Sequence, residues 1–197
     1  MGDMTQLASR LLVGVLALAV LATGCDDGSG GGGGGGGDGG TGDGGSSGGL
    51  VGSQAIEMTN AHNQVRHNVS PAPTVAIPDV TWSADVAAAA QAWANNCRFQ
   101  HSGSAYGENI YAVAGTSATP TDVVADWASE AADYDYTANS CSNVCGHYTQ
   151  VVWRDTQRIG CAKATCTKNS PFTGFSTCEL WVCNYDPPGN YGGQRPY

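Results

Sequence analysis

The chain has 197 residues and a formal net charge of −9, with 17 Asp/Glu against 8 Lys/Arg. That is room for one ordinary domain or two small ones. The shortage of basic side chains argues against nucleic acid or an anionic lipid surface as a partner.

Arg10 supplies a short positive flank, and Leu11 to Ala22 is almost wholly apolar, ending at Ala22-Thr23-Gly24-Cys25. An apolar run this short reads as the core of a signal peptide rather than a membrane span, so residues 1–24 are expected to direct export. Small residues ahead of Cys25 resemble a bacterial lipobox. The leucine usual three places before the Cys is here Ala22, with Leu21 one step earlier. Cys25 is the expected lipidation site, with membrane attachment through it; ordinary cleavage near Ala22 is the alternative. The product would be a cell-envelope lipoprotein facing outside the cytoplasm or a secreted, extracellular protein. Residues 25–49 form a tether: between Gly28 and Gly49, sixteen of twenty-two positions are Gly. Such a tract has no side chains to bury against the entropy cost of ordering. Residues 50–197 remain as one domain, expected to be monomeric.

In that domain Ser53 to Val69 reads as a first helix, with Met58, Ala61, Val65 and Val69 stepping by three and four along one face. Pro71, Pro73 and Pro78 end it and force an extended connection. Ser83 is a plausible N-cap for a second helix, with Asp85 in its first turn. That helix carries Val86, Ala90 and Trp93 on one face and ends near Cys97. A third begins around Thr121, with Val123, Val124, Trp127 and Ala131 facing inward. The period then changes, and Ile159–Cys166 and Phe175–Asn184 read as strands joined by a loop holding Ser170-Pro171 and Gly174. Helices first and strands later predict an α+β fold with helices packed on an antiparallel sheet.

Seven cysteines remain beyond Cys25, at 97, 141, 145, 161, 166, 178 and 183. Export implies that they oxidise to disulfides, and an odd number leaves one thiol over. Four histidines are present, His62, His67, His101 and His147. Two His and two Glu brought to one cleft would suit a divalent cation or an acid/base pair. Spacing alone does not bring them together, and each read singly is more often structural.

Four ordered segments carry more. Cys97-Arg98-Phe99-Gln100-His101-Ser102, Tyr106-Gly107-Glu108-Asn109-Ile110, Cys145-Gly146-His147-Tyr148-Thr149-Gln150-Val151-Val152-Trp153 and Cys183-Asn184-Tyr185-Asp186-Pro187-Pro188-Gly189-Asn190 resemble the signatures of the CAP superfamily. This superfamily joins cysteine-rich secretory proteins, antigen 5 and pathogenesis-related 1 proteins; the plant-type pathogenesis-related 1 group is most similar, down to Arg195-Pro196-Tyr197. The resemblance covers Gln54 to Tyr197. It implies a three-layer α-β-α sandwich with a broad cleft, whose tetrad falls on His101, Glu108, Glu130 and His147. In several members the two histidines hold zinc or another divalent ion and the acids stand close by. Here that implies a weakly bound metal on His101 and His147, with Glu108 and Glu130 in support. His62 and His67 fall outside the tetrad, His62 as a packing or hydrogen-bonding residue and His67 as exposed.

The resemblance also implies the pairs Cys97–Cys166, Cys141–Cys145 and Cys161–Cys183. Cys178 has no counterpart in that pattern. It is expected as a buried free thiol on the sheet face opposite Cys183; pairing of Cys178 with Cys166, freeing Cys97, is the alternative. A hydrolase needs an activated nucleophile or a metal-bound water beside a base. The sequence shows no HExxH pair and no nucleophile elbow. The chain therefore reads as a binder of a small molecule, lipid or protein. A metal-assisted hydrolase or protease and a sterol or lipid carrier are the alternatives. The C-terminal run Pro187–Tyr197 is expected as a coil packed over the sheet.

Overall fold

The computed structural model describes residues 49–197; the apolar leader, Cys25 and nearly all of the glycine tract lie outside them. Helix α1 spans Gly52–His67. It stops two residues short of Val69 because Pro71 disfavours helical backbone at Ser70. Strand β1 is only Thr81–Trp82. Ser83 caps α2, Ala84–Ala94, by accepting a hydrogen bond from the Val86 N–H. That helix ends three residues before Cys97, which has a left-handed φ of 54°. Strand β2 is Gly107–Val113. Thr119 begins α3, Pro120–Ser129, through a capping box with Asp122. A 3-10 turn, Glu130–Asp133, follows and leads into β3, Tyr134–Asp135, which pairs with β4, Ser140–Cys141. Ala131 lies in that turn and is exposed, not inward-facing. Helix α4 covers Gly146–Val151, and strands β5 and β6 run Arg158–Cys166 and Cys178–Asp186.

The main sheet has the order β1-β5-β6-β2. β5 and β2 each pair antiparallel with the central β6, but β1 is parallel to β5, so the sheet is mixed rather than wholly antiparallel. Strand side chains alternate between two faces. Ile110, Ala162, Val182 and Leu180 pack against Ala90 and Ala94 of α2. Ile159, Trp181, Cys183 and Tyr185 pack with Met58, Val123, Trp127 and Val151 of α1, α3 and α4. The result is a three-layer α-β-α sandwich. Trp127 and Trp181 are fully buried, each contributing about 3 kcal/mol by area.

Three disulfides join Cys97 to Cys166, Cys141 to Cys145 and Cys161 to Cys183; Cys178 is free and buried. The guanidinium of Arg66 is buried in the sandwich. Arg66, 1% exposed, donates to the carbonyls of Pro78 (2.8 Å), Val151 (2.9 Å) and Trp153 (2.8 Å), with longer bonds to Arg154 and Thr156. It therefore ties α1 to the end of α4 and the loop after it. Among the described residues no helix is long and apolar enough to cross a membrane.

Candidate functional site: two histidine–carboxylate pairs

Glu108 is the second residue of β2, and its side chain is only 6% exposed, beside a His101 that is 61% exposed. Its Oε1 accepts from His101 Nδ1 at 2.9 Å and from the Ser102 N–H at 2.9 Å. Burial pushes the Glu108 carboxyl up, but the bonds from His101 and Ser102 outweigh it and leave the pKa lowered. The same hydrogen bond raises the pKa of His101, against a smaller effect of burial. Glu108 Oε2 is buried with no partner among the described residues, as is Oδ1 of Asn184, its cross-strand neighbour.

The second pair is more enclosed. Glu130 follows α3 directly, and both its oxygens are engaged. Oε1 meets His147 Nδ1 at 2.7 Å, while Oε2 accepts the N–H groups of His147 (2.9 Å) and Tyr148 (3.2 Å). Burial alone would raise this carboxyl; the histidine and the two amides bring it below the usual range. The His147 ring stacks on Trp127, with centroids 6.2 Å apart and 23° between planes. The Cys141–Cys145 bridge closes the chain just ahead of α4.

In both pairs an ionised carboxylate takes the Nδ1 proton, which leaves Nε2 as the ring atom with a free lone pair when the imidazole is neutral. Carboxylates that accept from the ring N–H of a metal-binding histidine orient the imidazole in the same way. Glu108 and Glu130 are thus spoken for by their own histidines. Among the described residues no three His, Cys, Asp or Glu side chains are grouped to hold one ion. Two imidazole nitrogens would give an ion an open site completed by water, not a closed four-ligand one.

Behind His147 runs a buried chain that sequence reasoning did not find. Asn109 Nδ2 donates to the His147 carbonyl and to Tyr185 Oη, both at 3.0 Å. Tyr185 Oη lies 2.9 Å from His62 Nε2, and His62 Nδ1 lies 2.8 Å from the Met58 carbonyl. A carbonyl only accepts, so Nδ1 carries the proton and Nε2 accepts from the tyrosine. Only the placement of Asn109 and Tyr185 beside Glu108 and Cys183, inside the quoted motifs, hinted at this role. His67, by contrast, is exposed and pairs with Asp79 at 2.5 Å, away from the tetrad residues' own contacts.

The C-terminal coil also braces α4. Asn190 donates to the Gly146 carbonyl and accepts from Thr149 Oγ1. Arg195 donates to the carbonyls of Tyr136 and Thr137, and Tyr136 Oη donates to the Tyr197 carbonyl. The coil therefore lies against α4 and the Tyr134–Thr137 segment rather than over the sheet.

Residues 59–185 match the Cysteine-rich secretory protein family, CAP. The chain is 41% identical over 145 residues to pathogenesis-related protein 1 of Arabidopsis thaliana, covering 72% of this chain and 81% of that protein. It is 38% identical over 149 residues to human GLIPR1-like protein 1, covering 70% of this chain and 60% of the relative. The fold is similar to the Schistosoma mansoni venom allergen-like protein 4 structure, with TM-score 0.61 and 25% identity, covering 75% and 95% of the two chains.

Proposed function

The chain belongs to the cysteine-rich secretory protein (CAP) family, in its pathogenesis-related 1 and GLIPR1-like branch, and from that premise we propose an exported binding protein whose His101 and His147 take a weakly held divalent cation. The observation that carries the reading is the pairing of each Nδ1 with its own buried carboxylate. It fixes the ring and directs Nε2 to a ligand. When bound, the ion supplies a Lewis-acid centre for a ligand's oxygen or nitrogen donors. Zinc or copper is preferred over magnesium or calcium, because imidazole suits the softer ions. The protein's own residues do the rest: Glu108 and Glu130 hold the rings, and Trp127 supports the His147 ring from below. Calorimetric titration of the full chain with zinc at neutral pH tests this. One site is expected, lost at pH 5 where imidazole protonates, and lost in His101→Ala or His147→Ala. Zinc binding unchanged in both variants would refute it. Attachment through a lipid on Cys25 is part of the same proposal. Detergent partition that persists in Cys25→Ala would remove that part.

A carrier role for a lipid or sterol is the second reading. It is favoured by a groove of about 680 Å³ between α1 and α3, lined by Ala61, Val65, Val124, Ala125, Ala128 and Tyr148 among others. That volume lies within the range of small-molecule sites. Lipid extraction from natively purified protein, and metal-insensitive uptake of a labelled sterol, separate this reading from the first.

A further inference from the structure

Three sulfurs share one pocket in this sandwich, and only two of them are bonded. Cys97, Cys166 and Cys178 all line a small cavity with Phe99, Ala112 and Leu180, on the sheet face covered by α2. Cys97 and Cys166 form the disulfide. Cys178 is free, 6% exposed, and sits directly opposite Cys166 across the β5–β6 ladder. Residues opposite one another in an antiparallel pair point to the same face, so the thiol and the disulfide are neighbours.

The two arrangements are geometrically interchangeable. The same two strands already carry a cross-strand bridge, Cys161–Cys183, with a Cα separation of 4.1 Å. That is the narrow type of antiparallel pair; five rungs along, Cys166–Cys178 falls on the wide type, whose Cα atoms lie about 5.5 Å apart. The wide spacing is also within disulfide reach, and the Cys97–Cys166 bridge itself spans 5.5 Å. Cys97 meanwhile is held at φ 54°, in the left-handed region that a residue with a Cβ avoids.

We propose that Cys178 and the Cys97–Cys166 disulfide form a thiol–disulfide exchange site, with Cys97 as the latent reactive thiol. Cys178 loses its proton to solvent, and its thiolate attacks Cys166 Sγ. The Cys166–Cys178 bond forms as the Cys97–Cys166 bond breaks. The electron pair departs on Cys97 Sγ, which takes up a proton. One thiol and one disulfide enter and leave the step, so no oxidant or reductant is consumed. Cys97 then presents a modification site, four residues before His101, for an external disulfide, which exchanges with it and releases a thiol of its own, or for an electrophile. The tether joining that segment to β5 is gone, so the His101–Glu108 half of the cleft loosens with it. This proposal does not depend on metal binding.

The test uses the full oxidised chain. Samples are held at pH 7, 8 and 9, acid-quenched, denatured in acid, alkylated with N-ethylmaleimide and mapped. The expected result is label on Cys178 in the starting protein and growing label on Cys97. The rate should rise with pH, because the thiolate is the attacking species. Cys178→Ser should abolish Cys97 labelling. Cys97→Ala, with its fold checked by near-ultraviolet dichroism and with oxidised glutathione added as the oxidant, should close a Cys166–Cys178 bridge and leave neither of those two thiols alkylatable. Label that stays on Cys178 alone, label on Cys166 instead of Cys97, or a folded Cys97→Ala protein with two free thiols would each overturn the proposal.

Discussion

His62 should make the protein acid-labile in a specific pH window. It is fully buried, and its pKa is lowered from 6.5 to about 4, chiefly by burial, with Arg66 pushing the same way and the Met58 carbonyl opposing. The groups facing it are Arg66 on its own helix, Tyr185 from β6 and Trp127 from α3. The folded state thus holds His62 neutral while the unfolded chain takes up a proton near pH 6.5. Its contribution to stability is fully present above pH 6.5 and is lost as pH falls towards 4. A gap of two and a half pKa units corresponds to about 3 kcal/mol, at about 1.4 kcal/mol per pH unit for one proton. His101 acts in the opposite sense. Its raised pKa means that pairing with Glu108 stabilises below the unfolded pKa and fades as pH rises through the folded value. Comparing wild type with His62→Gln cancels this, since the rest of the chain is common to both. Urea unfolding between pH 7 and pH 4 should show the wild-type stability falling by one proton's slope more than the variant's. Parallel pH dependences in the two proteins would refute the assignment of a buried neutral imidazole.

Replacing Arg66 with Met leaves the buried carbonyls of Val151, Trp153 and Thr156 without their donor. A loss of about 3–5 kcal/mol is expected, read as a drop in urea midpoint; a change below about 1 kcal/mol would mean that water takes over those carbonyls. Gly160→Ala places a Cβ 2.0 Å from the Ala87 amide nitrogen, backbone that cannot turn aside. It should push α2 off β5 and cost at least about 2 kcal/mol by thermal unfolding, whereas Gly146→Ala meets open space and should be far milder.

The helical layer was readable from spacing because burial there is local and periodic. Met58, Val86, Ala90, Val123 and Trp127 all turn inward in the structure. Strands β5 and β6 were legible for the same reason, though the exposed Phe175 belongs to the loop ahead of Cys178. Strand β2 was not. Gly107-Glu108-Asn109-Ile110 places one carboxylate and one amide in the sheet, and their burial depends on partners from His101, His147 and Tyr185. Helix α4 was equally hidden, being six residues long with no side-chain cap of its own. The parallel edge strand β1 is two residues long, too short to show a period.

The candidate site was legible as a set of residues only through the CAP resemblance, and the reason is physical. His101 and Glu108 are only seven residues apart, but the bonds that join the pieces of the site span long stretches of chain: Glu130 to His147 is 17 residues, Asn109 to His147 is 38, and His62 to Tyr185 is 123. No local pattern encodes such contacts. They nonetheless form one consistent sequence of donors and acceptors. Tyr185 must accept from Asn109, so its own proton goes to His62 Nε2; His62 then carries its single ring proton on Nδ1 and donates it to Met58. Charging His62 puts a proton on the nitrogen that must accept, and forces Tyr185 to turn. The break would travel through Asn109 to the carbonyl of His147. The acid window set by His62 therefore bears on the geometry of the cleft as well as on the stability of the fold.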